Sequence, residues 1–372
     1  MELNKFITSY RDKTSTDEVI KLIKKLAQGK HYRLMHVCGT HEDTISRFGI
    51  RDVLPNNIEI VAGPGCPVCI VPIEEINAAI RLSTLKNMLL TTFGDMYRVP
   101  GGKESLRDAE AIGAAHVKIV YSITDAIKLA EAHKDLNVVH FAIGFETTAP
   151  STAAVLLEEP PENFSILCAH RFIPPAIEFL LKLGGSKIDG FILPGHVSAI
   201  IGERPYDYIS KDFKVPQVIA GFEPLDVILS ILMLLKQIND GEARVENEYV
   251  RTVKPEGNVK AKKLMDEVFG VKDANWRGIG LIPKSGYSLR SDFKSFDALS
   301  KFGVHIESEK EAMLSVNPAC RCGEVLRGII GPEDCPLFGK ACAPGHPVGA
   351  CMVGAEGTCA IAYKYKRISK FA

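Results

Sequence analysis

Short apolar runs alternate with amphipathic segments along roughly the first 120 residues. Each apolar run leads into a glycine-containing turn, as in "YRLMHVC" before Gly39, "IEIVAG" before Pro64 and "NMLLTTF" before Gly94. The segments "EEINAAIRLSTL" and "ESLRDAEAIGAA" between them have apolar residues at helical spacing. The repeated order of strand, turn and helix predicts an α/β fold.

The same pattern continues from about residue 121 to residue 240. Four apolar runs there end in turns with polar or charged residues, namely "NVVHFAI", "FSILCAH", "GFILPG" and "PQVIAG". The tripeptide "GFE" occurs twice, at Gly144–Glu146 and Gly221–Glu223, each time after a strand-like run and before a helix. This repetition is either a weak internal repeat or a coincidence.

The pattern becomes less regular after Gly241. A helical segment, "NVKAKKLMDEVFG", is followed by sequence without clear periodicity, and six of the ten cysteines lie between Cys320 and Cys359. We therefore expect three domains. Residues 1–120 and 121–240 are expected to form α/β domains, and residues 241–372 a C-terminal metal or disulfide module.

The chain of 372 residues carries 45 basic and 45 acidic side chains, so its formal net charge is zero. Because it has no basic excess and no lysine and arginine tract, we expect no binding to nucleic acid or to an anionic membrane. The N-terminus lacks an apolar signal segment, and "LDVILSILMLLKQI" is too short to span a bilayer. A cytoplasmic protein is expected, and clustered cysteines in a reducing compartment more often bind metal or carry out redox chemistry than form structural disulfides.

Two cysteine-containing turns in the first zone occupy equivalent positions. Cys38 and Cys66 each follow an apolar run and precede a helix. The carboxyl ends of parallel strands line one crevice, and ligands bind there. We therefore expect four side chains to face one another across this crevice: Cys38, His41, Cys66 and Cys69.

The sequence "GPGCPVC" at Gly63–Cys69 allows several interpretations. A CxxC pair between a strand and a helix is typical of a redox dithiol, although the helix is expected to begin near Pro72, too late for either sulfur to cap it. Three thiolates and the imidazole of His41 also form a set that suits zinc. Thiolates equally suit low-valent iron, and buried structural cysteines are the fourth interpretation.

The six tail cysteines include no CxxC pair, so a zinc ribbon is disfavoured. Four of them are separated by fourteen, six and sixteen residues, a spacing compatible with a [4Fe–4S] cluster. These four are Cys320, Cys335, Cys342 and Cys359. Cys322 and Cys351 remain as a disulfide or a redox dithiol, and spacing alone does not decide which four cysteines bind iron. His346 is expected to be solvated, and Cys168, inside an apolar run, to be a packing thiol.

Five motifs together resemble one known family. They are "CGTHE" at Cys38–Glu42, "GPGCPVC" at Gly63–Cys69, "GFETT" at Gly144–Thr148, "PGHVS" at Pro194–Ser198 and the six-cysteine tail. Their sequences and their order are similar to those of HypD proteins, a family of [NiFe]-hydrogenase maturation factors. The resemblance covers nearly the whole chain, and none of the five motifs departs from the family pattern.

The resemblance implies a fold and a set of partners. The expected fold has two Rossmann-like α/β domains of related fold and a smaller, mostly helical or irregular domain that carries a [4Fe–4S] cluster. The expected partners are the small chaperone HypC and the cyanide donor HypE, which carries cyanide as a thiocyanate. Together they would assemble the Fe(CN)2CO group for the hydrogenase large subunit, and cyanide transfer would be shared among them. We expect this chain to be monomeric on its own.

The motifs also imply roles for individual residues. Cys38 is the expected ligand of the iron in Fe(CN)2CO, with His41 in the same crevice and Cys66 and Cys69 as a neighbouring redox or ligating pair. The expected cluster ligands are the four spaced tail cysteines, with Cys322 and Cys351 as a second thiol pair. The hypothesis that follows is electron flow from the cluster through both thiol pairs to the iron, because the thiocyanate C–S bond is cleaved reductively.

The turns of the second zone are expected to line the opposite side of the cleft. Glu146, Thr147, Thr148 and His196 would donate hydrogen bonds to cyanide nitrogens or relay protons. Helix capping by Thr147 and Thr148 is the structural alternative. Glu356, between two tail cysteines, is either close to the metal site or a solvated loop residue. A ferredoxin-linked thiol–disulfide oxidoreductase and a zinc-stabilised binding protein are the two competing function classes.

Overall fold

The structure, a computed structural model, describes residues 12–184, 187–308 and 317–369. The N-terminal residues, on which the expectation of no secretory signal rests, lie mostly outside this range. In the described part of the chain, no helix has the length and apolar character needed to cross a membrane.

The described strands form two parallel sheets and one antiparallel pair. Numbered in chain order, the strands are β1 (Tyr32–His36), β2 (Ile58–Ala62), β3 (Met88–Thr92), β4 (Val117–Ile119), β5 (Asn137–Gly144), β6 (Phe164–His170), β7 (Gly190–Pro194), β8 (Gln217–Ala220), β9 (Val245–Asn247), β10 (Phe269–Trp276) and β11 (Gly280–Leu289). The first sheet has the order β2-β1-β7-β8-β9 and the second the order β4-β3-β5-β6. The α/β class predicted from the sequence is confirmed.

Helices connect the parallel strands, as crossover connections in parallel sheets require. The α-helices are Lys13–Leu26, Gly39–Arg47, Ile50–Val53, Ile73–Ser83, Gly94–Tyr97, Leu106–Ala111, Ile123–Ala132, Ala149–Leu157, Ile173–Leu183, Gly195–Ile201, Asp207–Phe213, Pro224–Asp240, Val259–Val268, Ala298–Phe302, Cys322–Leu326 and Thr358–Ser369. Short 3-10 turns lie at Arg204–Tyr206, Ser291–Phe296, Pro332–Asp334 and Ala350–Met352. Local sequence explains several starts, since Ser105 and Ser122 each form a capping box with the aspartate three residues later.

The path of the chain does not follow the order of the two sheets. The first sheet is built from residues 32–62 and 190–247, and the second from residues 88–170. Strand β1 pairs with β2 on one side and with β7 on the other, and the latter comes from a distant part of the chain. The expected ranges 1–120 and 121–240 therefore each contribute strands to both sheets, and division of the chain into independently folding units stays a prediction.

The C-terminal region contains a β-hairpin that sequence analysis did not predict. Strands β10 and β11 form an antiparallel pair, so the expectation of a mostly helical or irregular region 241–372 is corrected. The signal was weak because β10 contains glycine, lysine, aspartate and asparagine, which are depleted in strands. The hairpin lies beside the edge strand of the second sheet, where Arg171 and Gly286 form an isolated bridge and the amide of Phe172 donates to the carbonyl of Ser285 at 2.8 Å.

A buried ion pair ties the hairpin to the second sheet and to the helix after the "GPGCPVC" loop. Arg171, at the end of β6, is fully buried and donates from Nη2 to Glu75 Oε1 at 2.7 Å. The same guanidinium donates to the carbonyl of Asn275 on β10. The side chain of Asn275 in turn donates to Glu74 Oε1 at 2.8 Å. One charge network therefore joins three separate segments of the chain.

We predict that Arg171→Met lowers the free energy of unfolding by about 3–5 kcal/mol, because it leaves the Glu75 carboxylate buried without its charge partner. Urea unfolding followed by circular dichroism measures this change. The matched control is Lys182→Met, which removes an exposed ion pair with Glu178 and should cost about 0.5 kcal/mol or less. Equal effects of the two substitutions would contradict the assignment.

Candidate functional site

Cys38 lies at the junction between β1 and the helix Gly39–Arg47. It occupies the N-cap position of that helix, with extended backbone geometry, and its side chain is 8% exposed. Burial raises the pKa of the Cys38 thiol to about 11, and the nearby carboxylate of Glu356 adds to the rise. The free thiol is therefore protonated near neutral pH, so binding of a metal there must release a proton.

The "GPGCPVC" loop lies directly against the backbone of Cys38. The register of β1 with β2 pairs His36 with Ala62, so the two strands end side by side. The amide of Gly39 donates to the carbonyl of Gly65 at 3.2 Å. A Cβ atom on Gly65 would overlap the backbone of Cys38, so only glycine allows this approach. The expected juxtaposition of the two cysteine turns is thus found in the structure.

Cys66 and Cys69 form a disulfide in the structure, with their Cα atoms 5.3 Å apart. The amide of Cys69 donates to the carbonyl of Cys66 at 3.1 Å, which closes the loop into a tight turn. Pro72 is the N-cap of the helix Ile73–Ser83, as the sequence predicted. Both cysteines are buried, so this pair can alternate between disulfide and dithiol only when a partner group reaches it.

The tail segment Ala350–Glu356 covers both cysteine turns. The Sγ atom of Cys69 lies 4.0 Å from the carbonyl oxygen of Ala350, and a Cβ atom on Gly354 would lie 3.6 Å from Cys66 Sγ. On the other side, a Cβ atom on Gly39 would overlap Glu356. The C-terminal region therefore closes the crevice formed by the ends of β1 and β2.

Glu356 is held in this crevice by polar contacts. The hydroxyl of Thr40 donates to Glu356 Oε1 at 3.0 Å, and the amide of Ala355 donates to Asp95 Oδ2 at 2.8 Å. Burial raises the pKa of Glu356; the Thr40 hydrogen bond opposes this, and the charge of Asp95 adds to it. Glu356 is therefore half-buried beside Cys38, and its closeness to a metal stays a prediction.

His41 lies in the crevice region but its Nε2 atom is directed at backbone carbonyls. This nitrogen lies 2.9 Å from the carbonyl oxygen of Gly221 and 3.3 Å from that of Ala220. The ring stacks on Phe222, and His196 stacks on the same phenylalanine at 3.9 Å between ring centroids. Burial lowers the pKa of His41 to about 3, so the imidazole is neutral at physiological pH.

Glu42 anchors the "CGTHE" turn through a buried charge network. Its carboxylate accepts two hydrogen bonds from Arg51, at 2.9 and 2.7 Å, and lies 2.7 Å from His36 Nε2. Burial opposes ionisation of Glu42, but Arg51 and His36 outweigh it and hold the pKa of this carboxyl well below its ordinary value. The network fixes the first turn of the helix that carries Cys38 at its N-terminus.

The "GFETT" turn follows β5 and places a buried carboxyl at the start of another helix. Glu146 Oε1 accepts from the amide of Ile173 at 3.1 Å, whereas Oε2 has no hydrogen-bond partner among the described residues. Burial raises the pKa of Glu146 to about 8. Burial also raises the pKa of Tyr206, and the charges of Glu146 and Cys38 both add to this rise. The phenol of Tyr206 is therefore within electrostatic reach of both groups.

The structural alternative for the two threonines of this turn was capping of the next helix. Thr148 occupies the N-cap position of the helix Ala149–Leu157, but its side chain accepts no capping hydrogen bond. Its hydroxyl lies 3.2 Å from the carbonyl oxygen of Phe145 instead. Thr147 and His196 are exposed. Capping by the Thr148 side chain is therefore wrong, and the two exposed side chains are accessible to a ligand.

The tail cysteines surround a small cavity. Five of the six line it, together with apolar residues such as Val325, Phe338 and Met352. The five are Cys320, Cys322, Cys335, Cys342 and Cys359. The sixth, Cys351, is fully buried beside them, and neither it nor Cys322 is disulfide-bonded. A Cβ atom on Gly349 would overlap Cys322 Sγ and lie 2.8 Å from Cys320 Sγ, so glycine is needed for the sulfurs to gather.

These residues fit an iron–sulfur cluster by donor type and by enclosure. In the described parts of the chain, no three His, Cys, Asp or Glu side chains already form a site for a single metal ion. A cubane cluster instead binds four thiolates through four different irons, so the thiolates need not converge on one point. The apolar lining would also exclude water from such a group.

Comparison with known proteins decides the family. Residues 14–366 match the HypD model, described as the hydrogenase formation hypA family. The chain belongs to the HypD family. It is 49% identical to a protein of Methanocaldococcus jannaschii named for hydrogenase expression and formation, over 96% of this chain and 97% of that protein. It is 45% identical to the hydrogenase maturation factor HypD of Rhizobium leguminosarum bv. viciae, over 98% and 96%, and 40% identical to that of Escherichia coli K12, over 98% and 98%.

Several residues of this HypD-family site were not singled out from the sequence. Arg171, Phe222 and Asp95 lie one, two and three residues after the carboxyl ends of β6, β8 and β3. Their position at strand ends was a usable signal, because such ends point into the crevice of a parallel sheet. Arg277 gave no comparable signal, since the hairpin that carries it was not predicted.

We predict that Gly39→Ala exposes Cys38, because the added Cβ atom overlaps Glu356 and must displace the tail segment. Overpacking of this kind costs about 1–3 kcal/mol, so alkylation of Cys38 should become roughly tenfold faster. Peptide mass spectrometry after a timed iodoacetamide pulse measures the rate. Gly94→Ala is the matched control, because its Cβ atom meets only Ile119 at 3.6 Å. Equal labelling of both variants and the parent chain would refute the prediction.

Proposed function

We propose that the chain is a hydrogenase maturation factor that acts as scaffold and redox component in assembly of the Fe(CN)2CO group, together with a HypC-type chaperone and HypE. Family membership supports the general role. The observation that carries the mechanism is the segment Ala350–Glu356, which covers Cys38 and the Cys66–Cys69 pair and contains Cys351, buried beside the tail cavity. The two sulfur sites are thus in direct structural contact.

Cys38 is the proposed protein ligand of the iron substrate. It is a buried cysteine in the closed crevice; its backbone is in contact with Gly65, and the Glu42 network fixes the helix that follows it. A thiolate favours low-valent iron with strong-field ligands. Its elevated pKa means that the thiol loses its proton to solvent or partner as iron binds.

Cys66 and Cys69 are the proposed two-electron donor for cyanide release. A thiocyanate on HypE and the dithiol would react to give the HypE thiol, hydrogen cyanide and the Cys66–Cys69 disulfide. In this reaction the C–S bond breaks, an S–S bond forms, and two electrons pass from the dithiol to the departing thiolate and cyanide. The disulfide seen in the structure corresponds to the product state of the pair.

The proposed cluster ligands are Cys320, Cys335, Cys342 and Cys359, with Cys322 and Cys351 as the thiol pair beside them. When bound, a [4Fe–4S] cluster would supply electrons one at a time to restore the thiols. Cys351 follows Ala350 directly, and Ala350 contacts Cys69. Cys322 lines the tail cavity and Cys351 is next to the residue that contacts Cys69, which supports a role of this pair as the intermediate carrier.

The "GFETT" and "PGHVS" turns are the proposed binding surface for the cyanide ligands. Glu146, with a pKa of about 8, is mostly protonated near pH 7 and has a free Oε2 atom. A neutral carboxyl group can donate a hydrogen bond to a cyanide nitrogen, as a carboxylate cannot. Thr147 and His196 are exposed and would add donors as a partner delivers the ligand.

The disulfide favours one alternative, a ferredoxin-linked thiol–disulfide oxidoreductase. That function needs the same two thiol pairs but no iron at Cys38. The infrared spectrum of the chain purified with its partners separates the two functions, because metal-bound CN and CO absorb where proteins do not.

We predict that Cys38→Ala abolishes the infrared bands of bound CN and CO in the complex with HypC, because the protein ligand of the iron is lost. The cluster absorbance should stay unchanged, since the tail cysteines are intact. Infrared and visible spectra of the same anaerobic sample measure both. The matched control is Cys168→Ala, which removes a half-buried thiol on β6 that is remote from both sulfur sites in the sequence. This control should leave the infrared bands and the cluster absorbance unchanged. Persistence of the infrared bands in Cys38→Ala would exclude Cys38 as the ligand.

We predict that Cys335→Ala bleaches the brown colour of the anaerobically purified chain and lowers its iron and sulfide content, because one cluster ligand is removed. Iron and sulfide assays with visible spectroscopy measure the loss. A zinc-stabilised binding protein would instead contain zinc without sulfide. An intact cluster spectrum in Cys335→Ala would overturn the ligand assignment.

A further inference from the structure

The tip of the β10–β11 hairpin enters the space between the two sulfur sites. Arg277 follows β10 directly, and its amide donates to the carbonyl of Ile70 at 2.9 Å, one residue after Cys69. Its guanidinium donates from Nη1 to the carbonyl of Pro100 at 3.1 Å. These contacts fix Arg277 against the loop that carries the first cysteine pair.

The same hairpin tip packs against the tail cysteines. A Cβ atom on Gly278 would lie 2.5 Å from the Cα atom of Gly323, so the two backbones are in contact. Gly323 follows Cys322 in the chain, which places Arg277 beside the cysteine cavity. Its charge acts on the sulfurs of Cys322, Cys320 and Cys351, and on Glu74. Arg277 therefore contacts the loop of the Cys66–Cys69 pair, and its charge interacts with the sulfurs of the tail cysteines.

The side chain of Arg277 is half-buried, so water screens its charge only in part. Burial lowers the pKa of Arg277, while the neighbouring cysteine sulfurs counteract the shift. An arginine stays protonated in proteins under all ordinary conditions, so the positive charge is permanent. Charges interact more strongly in a poorly solvated environment than in water, because the local dielectric constant is lower.

We propose that Arg277 is a positioning residue that sets the reduction potential of the iron–sulfur site through its positive charge. Reduction by one electron adds a negative charge to the site without any need for a proton. A fixed positive charge stabilises the reduced form and raises the potential. The proposal rests on the proposed function, because it needs the cluster in the cysteine cavity.

The test is a redox titration of the anaerobically purified chain with dithionite, followed by visible and electron paramagnetic resonance spectra. Arg277→Gln should lower the reduction equilibrium constant at least about tenfold, which is about 59 mV for a one-electron couple. Arg277→Lys, which keeps the charge, should retain most of the original potential. Arg290→Gln is the matched control at the other end of the hairpin, where the guanidinium donates to the carbonyls of Asp266 and Phe269. This control should leave the reduction potential unchanged.

A second variant should shift the reduction potential in the opposite direction. Glu74→Gln removes the carboxylate that partly offsets Arg277 and should raise the potential, which also tests the proposal if Arg277→Gln takes up no cluster. An intact cluster whose potential is the same in the parent chain, Arg277→Gln and Glu74→Gln would overturn the role of Arg277. A parent chain without iron and sulfide would instead overturn the cluster assignment in the proposed function.

Discussion

Close backbone contact among three loops holds the sulfur chemistry of this protein together. The turns after β1 and β2 touch through Gly39 and Gly65, and the tail segment touches both turns through Gly354 and Glu356. Side chains at Gly39 and Gly65 would push the loops apart. Because the loops touch, Cys38 and the Cys66–Cys69 pair share one enclosed space. The C-terminal region supplies the cover of that space as well as its own cysteine cavity.

Buried charges keep these loops in fixed positions. Glu42 is held by Arg51 and His36 below Cys38, and Arg171 is held by Glu75 next to the first disulfide loop. Such pairs are costly to break because one unpaired buried charge remains. They therefore rigidify the turns, and a metal ligand or a redox pair works best on a rigid support. Arg277 adds a half-buried charge, whose neighbours are sulfurs of the tail.

Part of the fold and of the site could be predicted from the sequence, for identifiable reasons. Each apolar run before a glycine turn is a strand because buried parallel strands need continuous apolar residues. Cys38 and Cys66 were placed together because parallel strands end at one edge of a sheet. The β10–β11 hairpin was missed because its polar residues hide the strand pattern. The direction of His41 was also missed, since carbonyls from β8 decide it, and β8 lies about 180 residues away in the chain.

The sequence by itself determined the α/β class, the strand-end turns and the types of chemistry-bearing side chains, because these depend on local residue order. Tertiary structure decided which turns meet. Strands β7 to β9 return to the first sheet after the second has formed its own strands, and no local pattern encodes that return. The tail reaches the crevice because small residues on both surfaces allow backbone contact, a property that belongs to two segments together and to neither alone.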